Sequence, residues 1–233
     1  DHRRFLNQFY TGRFEGSFAT GVAFGENPSN GDCRVCGSLA SLAGLEQGIE
    51  QNNATLIEHA VARILMVHSI ILSIGGIPLI YSGDELALLN DYSYEQDDSK
   101  KHDERWVQRI PVTDADIQAR KKKGTPQNRV ATGLQTLIGL RKQYSVFGQA
   151  STRIINPHQN ALFAYQRTAK DGTALLAICN FSEHKQKVSS VTLGLGNGDV
   201  WQDLLSPVRV SPAPQELELA PYQVMWLLNS QPV

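Results

Sequence analysis

Cysteine is scarce. Only Cys33, Cys36 and Cys179 occur in 233 residues, too few for a disulfide framework. Net charge is as small: 22 Lys and Arg against 23 Asp and Glu leave a formal −1, so no global basic field is available for nucleic acid or an anionic membrane. A small neutral partner suits this balance. Long apolar runs are missing too. The best candidate, residues 64–80, is interrupted by His68, two serines, Gly75, Gly76 and Pro78, short of the roughly 18 to 20 residues that cross a bilayer. The opening DHRRFLNQFY has neither an initiator Met nor a basic segment leading into an apolar one, so no signal peptide is visible and the start reads as an interior position of a longer protein. Internal repeats and low-complexity tracts are absent as well.

The cysteines include one C-x-x-C, Cys33 and Cys36 in CRVC. It can be read as half a zinc site or a redox motif, or as two incidental thiols in a Gly-rich loop. A structural zinc needs two further ligands, and no second C-x-x-C or H-x-H cluster follows. The second reading is preferred, with neither a metal nor a cofactor expected.

What the chain does contain changes along its length. Residues 1–48 are rich in Gly, Asn, Ser and aromatics, with the turn signal NPSNGD at 27–32, and read as a long irregular segment of the kind that lines a site. From Asn53, a residue suited to capping, apolar residues recur every three or four positions: Ile57, Ala60, Val61, Ile64, Leu65, Ile71 and Leu72. This predicts an amphipathic helix ended by Gly75 and Gly76, with His68 buried on its apolar stripe. PLIYS at 78–82 then reads as a short buried strand, and the polar loop 83–111 after it lies where α/β folds build their sites. ARKKKG at 119–124 reads as a solvated surface segment. Thr125 and Pro126 start a second helix with Val130, Leu134, Leu137, Ile138 and Tyr144 on its buried face. After Gly148 the pattern becomes that of strands. ALFAYQRT and TALLAICNF flank the hairpin signal in AKDG, and KVSSVTL, DVWQDLL, QELELA and YQVMWLL follow, which predicts an antiparallel sandwich over 149–233. Trp201 and Trp226 could stack on sugars, but strands of this spacing place them in a core.

Asp84 and Glu85, in IGGIPLIYSGDEL, are the adjacent carboxylates that suggest sugar cleavage. On an extended strand neighbours point to opposite faces, so the two cannot flank one glycosidic bond together.

The order of these segments resembles the α-amylase superfamily, glycoside hydrolase family 13. GGIPLIYSGDEL is similar to the eighth strand of that family's catalytic barrel, and LLAICNFSEH with LELAPYQVMWL resembles the small β-sandwich behind it. DHRRFLNQFYTGRFEGSFATGVAF, NPSNGDCRVCGSLASLAGL and LNDYSYEQDDSKKHDERWVQRIP extend the similarity to amylosucrases and the related sucrose hydrolases over essentially the whole chain. The implied fold is α/β plus all-β: the C-terminal portion of a (β/α)8 TIM barrel over 1–148, in which 1–48 is a loop-rich subdomain inserted after strand seven and 53–148 holds the last helices and strand eight, followed by a β-sandwich over 149–233.

The resemblance implies retaining cleavage of sucrose through a glucosyl-enzyme intermediate, glucose passing to an α-1,4-glucan and fructose leaving; water as acceptor gives hydrolysis. In the family the nucleophile, the acid/base and a third carboxylate in a His-Asp-Asp motif all lie upstream of the region matched here. No His-Asp-Asp occurs in this chain, so no catalytic residue is assigned to it, and alone it is expected to be inactive. Three arginines carry across as substrate-binding residues. Arg105 matches the arginine that pairs with an aspartate at the closed end of the glucose pocket, a role that suits a planar guanidinium fork; Arg34 matches a contact to the fructosyl or acceptor sugar, and Arg3 one on the acceptor side. Cys36 stands where family members often have a small residue such as Ser. The implied partners are sucrose, α-glucan and the rest of the barrel, with no nucleic acid and no membrane. A sucrose hydrolase on the same scaffold is the alternative, and a non-catalytic carbohydrate-binding or structural module is the alternative of another class. An isolated part of a barrel is also expected to expose apolar surface.

Overall fold

Asn53 and Thr125 sit where side-chain oxygens can take up free amides, and in the computed structural model, which describes residues 1–196, 200–206, 209–210 and 215–229, they cap the two long helices. Helices and strands follow in the order α1 (His2–Tyr10), β1 (Val22–Phe24), β2 (Arg34–Cys36), α2 (Leu39–Leu42), α3 (Leu45–Glu50), α4 (Ala54–Ser73), α5 (Asp114–Ala119) and α6 (Pro126–Gln143). Strands β3 (Ala150–Ile155), β4 (Leu162–Ala169), β5 (Ala174–Asn180), β6 (Gln186–Ser189), β7 (Trp201–Asp203), β8 (Arg209–Val210), β9 (Glu216–Leu219) and β10 (Val224–Asn229) complete the chain. Asn53 Oδ1 accepts from the amides of Thr55 and Leu56 at 3.1 and 3.2 Å, and Thr125 Oγ1 accepts from Asn128 N at 3.2 Å. Packing divides the chain into two units, residues 1–64 with 80–133 and residues 65–79 with 134–233.

The first unit is more regular than the composition of 1–48 suggests. NPSNGD is the turn of a hairpin in which β1 and β2 pair antiparallel, Val22 opposite Cys36 and Phe24 opposite Arg34, and α1, α2 and α3 surround it in sequence. The expectation of a long irregular loop is corrected accordingly. Short three-residue strands and a four-residue helix carry too little periodicity to be read in advance. The loop at 83–111 is built from 3-10 turns at Asp84–Leu86, Tyr92–Gln96 and Glu104–Gln108. Helix α5 starts at a capping box, where Thr113 and Asp116 bond reciprocally. Lys121 to Gly124 lie exposed, as a solvated segment would.

In the second unit the strands are antiparallel throughout. A six-stranded sheet runs β3-β4-β5-β10-β7-β8, and β6 pairs β9 separately. Asp171 and Gly172, the latter at φ +87°, close the β4–β5 hairpin as AKDG predicts. Central β5 is buried at every position. Its Leu176 and Ile178 join Val188 of β6 and Leu217 and Leu219 of β9 in one core that also holds Trp201. Its other face meets aromatics: Phe147 and Trp226 lie 4.8 Å apart, and Tyr165 shares a hydrogen bond with Ser73 of α4 at 2.5 Å. Both tryptophans are buried, and their indole nitrogens have no hydrogen-bond partner among the described residues, so they are core residues and present no face to a sugar. Asp199 of the expected strand DVWQDLL lies outside the described residues.

Two expectations are overturned. PLIYS forms no strand: residues 77–81 belong to no helix or strand, with Ile77 98% and Leu79 80% exposed. A strand needs neighbours to take its amides and carbonyls, and no parallel pairing occurs among the described residues. Exposed apolar surface was expected of an incomplete barrel, and this segment supplies it. Second, helix α4, at 20 residues, is long and apolar enough to match a membrane span by length and composition, although no run of residues looked long enough. The apolar residues before Ile64 supply the missing length. In the fold Ala60, Val61, Ile64, Leu72 and His68 of this helix are buried in the protein.

Candidate functional site

The site-forming part of the first unit starts from the β1–β2 hairpin. Its register sets Phe24 directly across from Arg34, and cross-strand neighbours lie close enough for side chains to interact. The Arg34 guanidinium carbon stands 5.9 Å from the Phe24 ring centre. The 3-10 turn Glu104–Gln108 packs against the same hairpin: fully buried Val107 joins Cys36 and Tyr94, with Val22, Phe24 and Trp106 packed around them. That packing carries Arg105 to the same ring, at 5.1 Å.

Asp103 starts the turn and orients it. Its carboxylate accepts from the Arg105 amide at 3.1 Å and from the Arg105 guanidinium at 2.7 and 2.9 Å, a two-pronged pair. The guanidinium beside it holds the Asp103 carboxyl below its usual range. Arg109 lies 3.7 Å from Asp103 and 4.9 Å from the Trp106 ring, whose surroundings also include Lys100 at 5.1 Å. Gln108 closes the arrangement by accepting from Gly37 N at 3.0 Å, which ties the end of β2 to the turn.

Asn90 is the second organising residue. Its side chain accepts from Ser38 N at 2.8 Å and donates to Thr20 O at 2.6 Å and Tyr92 Oη at 3.1 Å, while its amide donates to Ser41 Oγ at 2.9 Å. Tyr92 in turn donates to buried Glu46 at 2.8 Å, and burial pushes the Tyr92 phenol up to about 12, so it stays protonated and donating at any working pH. Beside this network a pocket of about 230 Å³ is lined by Gly37, Ser38, Leu39, Leu42, Tyr81, Asp84 and Gln108. Its wall offers an acid, an amide, a phenol and two leucines, the mixture of polar and apolar groups that a sugar presents in return.

The residues singled out in advance are thus partly gathered. Arg105 and Arg34 meet at one ring. Arg3, on α1, is engaged elsewhere: it pairs with Asp32 at 2.7 Å, and Asn7 donates to the same carboxylate at 2.9 Å. Asp84 and Glu85 sit on a 3-10 turn and not on a strand; Asp84 faces the pocket, whereas Glu85 accepts from Gly83 N at 2.9 Å within its own turn. The thiols of CRVC are both free and buried. They are three residues apart along extended chain, about 10 Å, beyond the roughly 7 Å that a disulfide can bridge. Burial raises both thiols above their usual value, which keeps them protonated and unreactive. Among the described residues no group of three or more His, Cys, Asp or Glu could hold a metal ion.

Phe24, Asp103, Asn90 and Gln108 were not anticipated. Asp103 had a local signal, an Asp two residues before an Arg at the start of a turn. Phe24 had an indirect one, since NPSNGD between two short apolar stretches allows a hairpin, but the register that pairs it with Arg34 is a tertiary fact.

Comparison with known proteins bears on what this arrangement serves. Residues 152–228 match the family model of the amylosucrase C-terminal domain. Glucosylglycerate phosphorylase of Escherichia coli (strain K12) is 29% identical over 171 residues, covering 73% of this chain and 29% of that protein. The chain therefore spans under a third of the length of this curated relative. The structure of a point mutant of AmyP in complex with maltotriose superposes with a TM-score of 0.61 at 17% identity, covering 82% of this chain and 39% of AmyP. The trehalulose synthase MutB, as an inactive double mutant with isomaltulose, gives 0.53 at 19% identity, covering 72% and 38%. At such identities the structures speak for fold alone. Family model and curated relative thus make this chain similar to proteins of glycoside hydrolase family 13, with residues 152–228 similar to the amylosucrase C-terminal domain.

Proposed function

We propose that the protein to which this chain belongs is a retaining α-glucosyltransferase of the amylosucrase type, cleaving sucrose and passing glucose to an α-1,4-glucan. The observation that carries this reading is the joint placement of Arg34 and Arg105 on Phe24, because the family resemblance independently matches both arginines to sugar contacts. In this reading residues 1–148 close the catalytic barrel and 149–233 form the separate sandwich domain. Ile77 to Tyr81 become its last strand when the upstream strands are present to pair with them. The reacting carboxylates come from upstream, and this chain supplies groups that hold the sugars. Arg105, already fixed by Asp103, stands at the closed end of the glucose pocket. Arg34 contacts the fructosyl or acceptor sugar, and Arg3 lies farther along the acceptor side. A sucrose hydrolase would use the same groups, with water reaching the intermediate in place of glucan.

A second reading concerns the acceptor. The curated relative is by name a phosphorylase, and phosphate in place of glucan would give phosphorolysis on the same scaffold. A purely carbohydrate-binding role for the C-terminal domain loses its main support, since Trp201 and Trp226 are buried. The test is fructose release from sucrose by the full-length protein, with and without glucan and with and without inorganic phosphate. Glucan-stimulated release that falls at least tenfold in Arg105→Ala is expected. Release that needs phosphate would replace this reading with the second, and an unchanged Arg105→Ala rate would remove Arg105 from the pocket.

A further inference from the structure

We infer that Phe24 is a positioning residue, a single ring that sets the orientation of both sugar-binding guanidinium groups. The inference rests on the roles proposed for Arg34 and Arg105. Arg105 is fixed along its edge by the Asp103 fork and across its face by the ring at 5.1 Å. Arg34 is exposed, and among the described residues no hydrogen bond or ion pair holds its guanidinium, so the ring at 5.9 Å is what orients it. The ring itself is anchored from below. Phe24 packs against the cluster of Cys36, Tyr94 and Val107, and the hairpin register prevents it from sliding relative to Arg34.

The chemistry suits the task. An aromatic face attracts a guanidinium without satisfying its N–H groups, so the donors of Arg34 stay free for hydroxyl oxygens of a sugar, while Arg105, with Nε and one Nη2 hydrogen given to Asp103, keeps its remaining ones. A carboxylate in the same place would occupy those donors. Both arginines are then oriented before a sugar arrives, and the entropy of ordering long flexible side chains is not lost again on binding.

Phe24→Leu keeps an apolar side chain under the hairpin but removes the ring face, whereas Phe24→Tyr keeps the face. In the full-length protein, Phe24→Leu should raise KM for sucrose by about two- to fivefold for each arginine that the ring orients, the scale of exposed cation–π contacts, and Phe24→Tyr should restore it. The decisive comparison is a mutant cycle: in an Arg34→Ala, Arg105→Ala background, Phe24→Leu should change KM no further. A residue that only filled the core would cost the same in both backgrounds. Side-chain Nε–H relaxation of ¹⁵N-arginine-labelled protein reports ordering without any reference to sucrose, and Phe24→Leu should loosen Arg34 and Arg105 alone. Equal losses in both backgrounds, no rescue by tyrosine, or unchanged relaxation would overturn the inference. If relaxation loosens while Arg34→Ala and Arg105→Ala leave sucrose cleavage unchanged, the positioning stands and the proposed function falls.

Discussion

At the scale of single residues, the most committed side chain is Arg167. It is buried on β4 and has no carboxylate partner among the described residues; its guanidinium donates to Ile74 O at 3.0 Å, Gly148 O at 2.8 Å and Thr152 Oγ1 at 2.6 Å. Burial lowers its affinity for the proton, with the nearby Arg141 charge adding to the effect. A charge held only by carbonyl and hydroxyl oxygens leaves those acceptors orphaned when it is removed. Arg167→Met should therefore cost on the order of 3 kcal/mol, read as a lower urea midpoint with an unchanged slope. A midpoint within error of the parent would mean that the carbonyls find water instead. Arg167 was not legible beforehand: in ALFAYQRT it sits among alternating strand residues, and nothing local distinguishes a buried arginine from an exposed one.

At the scale of elements, the interest lies at the end of α4. Three carbonyls at and beyond its last turn are taken by arginines: Arg141 donates to Leu72 O at 2.6 Å and to Gly76 O at 3.1 Å, and Arg167 takes Ile74 O. Cationic groups at a helix C-terminus answer both its unsatisfied carbonyls and its dipole. Gly75 makes this possible. It sits at φ +122°, and a Cβ there would come within 2.4 Å of Arg167 Nη1. Gly75→Ala should cost about 1–3 kcal/mol from backbone strain alone, and more through displacement of the guanidinium. Because both changes disrupt one contact, Gly75→Ala and Arg167→Met should combine to less than their sum. Thermal or urea unfolding of the single and double variants checks this, and strict additivity would separate the two. The helix itself, from Asn53 to its glycine stop, was readable from spacing and caps. The hairpin β1–β2 was not, since three residues per strand give a period-2 pattern no chance to declare itself.

At the scale of the whole chain, Ile77 and Leu79 stand almost fully in water. Apolar segments with free backbone groups pair with whatever edge is offered. The isolated chain should accordingly self-associate as concentration rises, and Ile77→Ser with Leu79→Ser should reduce that association in sedimentation equilibrium without lowering the unfolding midpoint. Association unchanged by the pair would place the sticky surface elsewhere, for example at Phe5, Tyr10 and Phe14, which are also exposed.

Local chemistry was enough to determine the two long helices, the Asp171–Gly172 hairpin, the strand-rich second half and the burial of His68, Trp201 and Trp226, because caps, glycines and apolar spacing act within a few residues. Only tertiary structure decided that PLIYS stays unpaired, that Arg105 takes Asp103 as its partner and that Arg34 and Arg105 share Phe24. Those outcomes depend on register and on which surfaces meet. A strand exists only where a neighbour accepts its hydrogen bonds, and a site exists only where separate turns are packed against one another.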